Sequence, residues 1–124
     1  MNDRMLRLVG ALKDLECAGA IVFDRAGNEV CVVGDIESVR PSGLFRSLFG
    51  GPLQLSRLRA SLTGQLLPRI WNQAPVKCFV STLPDDRLYA VFTTKPLDAF
   101  SAYELSLRVA ESVDAILGSG SEGN

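Results

Sequence analysis

Residues 12–33 read Leu12-Lys13-Asp14-Leu15-Glu16-Cys17-Ala18-Gly19-Ala20-Ile21-Val22-Phe23-Asp24-Arg25-Ala26-Gly27-Asn28-Glu29-Val30-Cys31-Val32-Val33, and this stretch decides the fold. It opens at the end of a helical pattern, passes through the small residues Ala18-Gly19-Ala20, and continues as two β-rich runs, Ile21-Val22-Phe23 and Glu29 to Val33. Between the runs stands an Asp-x-x-Gly turn, with Gly27 placed for the positive φ that such a loop requires. A helix that feeds a hairpin this directly begins an α+β domain, an antiparallel sheet carrying helices.

Upstream, Met5, Leu8, Leu12 and Leu15 recur at three- and four-residue steps, which predicts an amphipathic first helix with Asn2 as its cap. Downstream, the connection from Gly34 to Gly51 is rich in glycine yet carries Leu44, Phe45, Leu48 and Phe49 at helical spacing, so a short helix over 42–49 is expected within a long apolar loop. Two readings stand for those four residues. They fold back onto the core, or they anchor a partner protein.

Pro52 after Gly51 suits the first turn of a second helix, read as running to Leu67 and stopped by Pro68. Leu55, Leu58, Leu62 and Leu66 make one apolar stripe on it; Leu53, Ala60, Gly64 and Leu67 make another whose middle is small. The second stripe would let another helix approach closely across a dimer axis. Alternatively, Gly64 is only a tolerated helix defect, destabilising by ~1 kcal/mol.

Three strand patterns follow: Arg69 to Gln73, Val76 to Thr82 and Arg87 to Thr94. The last two flank Leu83-Pro84-Asp85-Asp86, where adjacent aspartates read as turn residues more readily than as an acid/base pair. Trp71, the sole tryptophan, lies where a strand would pair across two subunits, or else in the core of one. The final helix is signposted by a Ser101-x-x-Glu104 capping box and a Phe100–Leu105 staple, and its apolar positions run through Ala102, Leu105, Val109, Val113 and Ile116 to Gly118. The expected organisation is one domain over 1–118 and a flexible polar tail over 119–124.

Composition narrows the function classes. The 124 residues include 13 Lys+Arg against 14 Asp+Glu, so a basic nucleic-acid-binding face is not expected. There is no histidine, which removes Ser-His and Cys-His nucleophile pairs and His-containing zinc sites. Cys17, Cys31 and Cys78 form no Cys-x-x-Cys and read as buried thiols in a reducing compartment. No phosphate-cradling glycine loop or nucleophile elbow occurs. The apolar run near the N-terminus is short and followed at once by Lys13 and Asp14, so no membrane association is expected and the location reads as cytoplasmic. Arg57, Arg59 and Arg69 read as a solvated basic face. No catalytic, cofactor-binding or metal-binding residues are assigned.

The order helix, strand, strand, helix, three strands, helix resembles the roadblock/dynein light chain family, including the bacterial MglB-like roadblock domains. The resemblance is carried by Leu12-x-x-Leu15, Ala18-Gly19-Ala20, Ile21-Val22-Phe23 and Asp24-Arg25-Ala26-Gly27-Asn28. It extends loosely over residues 3–117. It implies a profilin-like α-β-β-α-β-β-β-α sandwich and a non-catalytic homodimer, with second helices meeting across a two-fold axis and central strands joining into one sheet. It also implies a scaffold or regulator of Ras-like small GTPases, in cell polarity, motility or signalling, with another roadblock-type protein as a further partner class. The long Gly34–Gly51 connection departs from the family's short link.

On this reading the self-contact would involve Leu53, Ala60, Gly64, Leu67, Ile70 and Trp71, and the partner contact Leu44, Phe45, Leu48 and Phe49. The rival is a small-ligand sensory domain of GAF or PAS type, which would need an internal pocket with converging polar groups such as Tyr89, Tyr103 and Gln73.

Overall fold

The computed structural model describes residues 3–65, 67–73 and 75–118. The Asn2 cap, Leu66 of the second helix's stripe and the 119–124 tail lie outside the described residues. The chain runs α1 (Asp3–Asp14), β1 (Gly19–Phe23), β2 (Glu29–Gly34), α2 (Gly43–Phe49), α3 (Pro52–Leu62), β3 (Arg69–Gln73), β4 (Val76–Thr82), β5 (Leu88–Thr93) and α4 (Ala99–Leu117). The strands form one antiparallel sheet in the order β2-β1-β5-β4-β3. The α+β sandwich with an antiparallel central sheet is thus the observed architecture.

Alternation along the strands divides the interior into two cores. Ile21, Phe23, Cys78, Val80, Ala90 and Phe92 point to one face, where α2 and α3 cover them. Ala20, Val22, Phe79, Tyr89 and Val91 point to the other, under Leu8 and Leu12 of α1 and Leu105, Val109 and Val113 of α4. Because both faces of the central strands are covered, all six residues of β5 are buried. Each large apolar side chain so buried contributes about 1.5–3 kcal/mol.

The ends of the elements show where local chemistry prevailed. α1 stops in a Schellman turn: the Cys17 N–H donates to the Leu12 carbonyl (2.9 Å) and the Glu16 N–H to that of Lys13 (3.0 Å), with Glu16 at φ +60°. The Thr93 hydroxyl then donates to the Glu16 carbonyl (3.2 Å), tying this turn to the end of β5. In the first hairpin, Gly27 takes φ +92°, as expected, and the Asp24 carboxylate accepts from the Asn28 N–H at 2.9 Å.

Two boundaries differ from the sequence reading. The second helix ends at Leu62, five residues before Leu67: Thr63 is its C-cap and Gly64 sits beyond it at φ +80°. Gly64 is therefore a turn residue, the role its missing Cβ suits, and not part of a helix face. The last helix starts at Ala99, because the Asp98 side chain accepts from the Ser101 N–H at 2.7 Å and caps the helix three residues before the Ser101 box. Phe100 is 68% exposed and makes no buried staple.

Candidate functional site

A sheet of five strands has two free edges, and here they are unlike. β3 pairs with β4 in unbroken register from Arg69 opposite Val80 to Gln73 opposite Val76, and among the described residues no strand neighbours its far side. It offers a regular row of backbone donors and acceptors. β2, at the other edge, slips register against β1 between Val22 and Phe23, so that Val30 has no partner residue. A bulge of this kind bends and twists an edge, which hinders the addition of another strand.

Apolar side chains that are exposed or half-buried stand on β3, before it and on α3. Trp71 lies opposite Cys78 and packs half-buried against the α2/α3 core, whereas Ile70, opposite Phe79, points to the other face and is 36% exposed. On α3, Leu58 and Leu62 turn inward, leaving Leu53 57% exposed and Ala60 on the wet side. Leu67, 48% exposed, stands with Gly64 in the connection between α3 and β3. Four of the six expected self-contact residues thus lie on α3 or β3. Gly64 and Leu67 are not on the helix, so close approach of two helices falls to Ala60.

The other expected set is placed differently. Leu44, Phe45, Leu48 and Phe49 are 6–8% exposed and belong to the α2/α3 core. Phe49 stacks on Phe23 at a centroid distance of 5.3 Å, and Phe45 stacks on Phe92 at 5.8 Å. α2 exists because Ser42 caps it, accepting from the Phe45 N–H, and because its apolar face meets this aromatic cluster. These four residues face their own sheet, so they are not exposed anchors for a partner. Folding back onto the core is the reading that holds.

The polar groups explain themselves locally. Arg40 donates to both carboxylate oxygens of Glu29 (2.8 and 2.9 Å), which holds that carboxyl below its usual range. Asp85 pairs with Arg87 at 2.7 Å and Asp86 with Arg25 at 3.5 Å, so the adjacent aspartates serve the turn separately. Of the three arginines expected on one face, Arg59 departs from the others, while Arg57 and Arg69 both lie by Trp71. Arg69 lies over the Trp71 ring at 5.2 Å, and Arg59 turns away to the hairpins. There it donates to the carbonyls of Asp24 (2.9 Å) and Asp86 (2.5 Å), joining α3 to the β1–β2 and β4–β5 turns. A lone arginine on a helix gives no sequence signal for such a contact.

Cys78 is buried, but Cys17 and Cys31 are only half-buried. Burial raises all three thiols, Cys17 to about 11 and Cys78 well above the usual thiol value, which disfavours the thiolate a nucleophile or metal ligand requires. Among the described residues no group of three His, Cys, Asp or Glu side chains could hold a metal ion. Nor is any described helix long and apolar enough to cross a membrane. The polar groups considered for a sensory pocket do not converge: Tyr89 is buried on the α1/α4 side, Tyr103 is exposed on α4, and Gln73 lies at the end of β3.

The chain matches no protein-family model and no curated protein by sequence. Its structure is similar to that of Myxococcus xanthus MglB, with a TM-score of 0.67 at 12% identity, covering 96% of this chain and 94% of that one. It is also similar to the gliding protein MglB of Thermus thermophilus, with a TM-score of 0.60 at 13% identity over 94% of this chain and 92% of that one. A Roadblock/LC7 domain from Streptomyces avermitilis gives 0.55 at 16% identity over 90% and 99%. At these identities what is shared is the fold, and the chain has a roadblock-like fold.

Proposed function

We propose that this chain is a non-catalytic homodimeric scaffold, in which the β3 edges of two copies pair antiparallel and their α3 helices pack across the same two-fold axis. The observation that carries the reading is the open, regular β3 edge with exposed Ile70 on the strand and Leu67 just before it, together with Leu53 and Ala60 exposed on α3, while the opposite edge is bulged. Pairing would satisfy the free backbone groups of β3 and cover apolar surface in one step. Trp71 and Ile70 would then each lie near the joined strands, on opposite faces of a continuous sheet.

The scaffold serves a Ras-like small GTPase or another roadblock-type protein, in a cytoplasmic polarity, motility or signalling setting. Support for this part comes from the fold shared with the MglB structures. The absence of histidine and the raised thiols support a means of action that rests on binding energy.

Light scattering tests the dimer. The purified chain is expected at twice its 13.4 kDa, and Leu53→Glu is expected at the monomer mass with an unchanged circular dichroism spectrum. Leu53 is solvent-exposed in one copy, so the substitution disturbs folding little and acts on association. A monomeric wild type at micromolar concentration would overturn the proposal. Binding of a small GTPase is measured separately, by titrating GDP- and GTP-loaded forms against wild type and Leu53→Glu. The expected result is saturable binding that weakens in the variant.

A further inference from the structure

The acidic residues are unevenly spread along the chain. All 14 lie in residues 3–37 and 85–122, while residues 38–84 carry Arg40, Arg46, Arg57, Arg59, Arg69 and Lys77 and no aspartate or glutamate. That stretch holds the whole of α2, α3 and β3. Within it Arg40 is paired with Glu29 and Glu37, and Arg59 is turned to the β1–β2 and β4–β5 turns.

Arg57 and Arg69 stay at the candidate surface itself. Leu53, Arg57 and Ala60 follow one another at helical spacing on α3 and all three are exposed, so Arg57 stands in the middle of the helix face proposed to pack across the two-fold axis. Arg69 opens β3, lies over the Trp71 ring at 5.2 Å and donates to the Ser61 carbonyl of α3 at 3.4 Å, which holds its charge in the angle between strand and helix. Arg57 lines the hollow beside the same Trp71. Neither arginine makes an ion pair among the described residues. Pairing two copies through β3 and α3 therefore brings the Arg57 and Arg69 guanidinium groups of both toward one axis. No carboxylate of the paired elements answers them in any strand register, because α2, α3, β3 and the connections between them carry none. Like charges set together at an interface weaken it, whereas a carboxylate facing a guanidinium forms a charge-assisted hydrogen bond.

We propose that this surface selects, over a second copy of itself, a partner of the same fold that carries carboxylate side chains on its own counterparts of α3 and β3, facing Arg57 and Arg69. The inference rests on the β3 and α3 pairing proposed above, and makes the self-pair the weaker of two pairings open to one surface. A partner of the same fold is the one that supplies a strand for the β3 edge and a helix for α3 together. The strand edge and the apolar contacts serve both pairings alike, and the arginines decide between them.

A charge-reversed copy, Arg57→Glu/Arg69→Glu, stands in for such a partner. Pairing is measured by energy transfer between dyes on the chain N-termini, for wild type with itself, for the reversed copy with itself and for the mixture. The mixed pair is expected to be at least about tenfold tighter than either self-pair. Raising sodium chloride from about 50 to about 500 mM should tighten the wild-type self-pair by screening repulsion, and loosen the mixed pair by screening attraction. Arg57→Gln/Arg69→Gln should pair with itself more tightly than wild type does at low salt, and its own salt series is the reference for the other two. The wild-type series needs no substitution, so it tests the inference even where a reversed copy fails to fold. A wild-type self-pair that salt leaves unmoved or loosens relative to that reference, a mixed pair no tighter than the self-pairs, or tightening by phosphate but not by chloride at equal ionic strength would each overturn the inference and leave the dimer standing. Failure of all these chains to pair at any salt concentration would overturn the dimer reading as well.

Discussion

Replacing Phe49 by alanine distinguishes a core role for α2 from a partner-binding role more sharply than any other single change. Phe49 is 7% exposed and packs against three rings, Phe45 at 5.2 Å, Phe23 at 5.3 Å and Phe92 at 6.0 Å. Truncating a buried phenylalanine destabilises by about 3–5 kcal/mol, part of which is the loss of aromatic pairs worth about 0.5–1.5 kcal/mol each. We expect about 4 kcal/mol, because Phe23 and Phe92 are held in strands and cannot collapse far into the space. With a urea dependence of about 2 kcal/mol per molar, the unfolding midpoint falls by about 2 M. Trp71 is the only tryptophan and packs against the same core, so its fluorescence reports the transition alongside far-ultraviolet dichroism. A dimer's stability depends on protein concentration, so the comparison is made in the Leu53→Glu background, where that dependence is expected to vanish. A loss below about 1 kcal/mol for Phe49→Ala would refute the burial argument, because a ring so packed cannot be removed that cheaply.

Further expectations follow from single residues. Gly64→Ala should lower stability by about 1 kcal/mol although nothing obstructs the added methyl, since the strain lies in the φ of +80°; Gly64→Asn, which tolerates that conformation, should lose less in the same urea series. The Ser101 amide holds the Asp98 carboxyl below its usual range, so its stabilising effect is complete above the unfolded value of about 4 and is lost as pH falls through the lower folded value. Melting temperatures of wild type and Asp98→Asn should therefore converge in acid, and a gap that widened there would contradict the assigned cap. At pH 8, with Cys17 raised to about 11, only on the order of one Cys17 thiol in a thousand is ionised; a disulfide reagent should react slowly with Cys17 and Cys31 and reach Cys78 only in denaturant. Rapid modification of any thiol in the folded protein at neutral pH would count against this placement.

Much of the fold is legible in the sequence because alternation and turn chemistry are local. The pattern from Gly19 to Gly34 and the strands at 76–82 and 88–93 emerge where their residues predict. The errors arise where two local signals compete. Leu62, Leu66 and Leu67 continue a helical spacing up to Pro68, but a glycine four residues before a proline is also a helix stop, and its freedom at positive φ decides the matter. Ser101-x-x-Glu104 reads as a capping box, but Asp98, three residues earlier, supplies the cap. Helical spacing of Leu44, Phe45, Leu48 and Phe49 specifies a face without saying what that face meets. Edge position is a property of strand order, which no window of sequence encodes, so the β3 residues of the candidate surface were legible as a strand but not as an edge. Arg59 was harder still, because its partners are main-chain carbonyls in two distant turns.

The inequality of the two sheet edges has a bearing on how far association can proceed. A subunit with two equally receptive edges would be a monomer in the polymer chemist's sense, adding copies at both ends and growing into a ribbon. A subunit with one receptive edge and one bulged edge has a functionality of one. When its single reactive side meets that of another copy, neither end of the product can propagate, and assembly terminates at a pair. On this view the unpartnered Val30, far from the proposed interface, acts as a chain terminator that keeps the pair discrete.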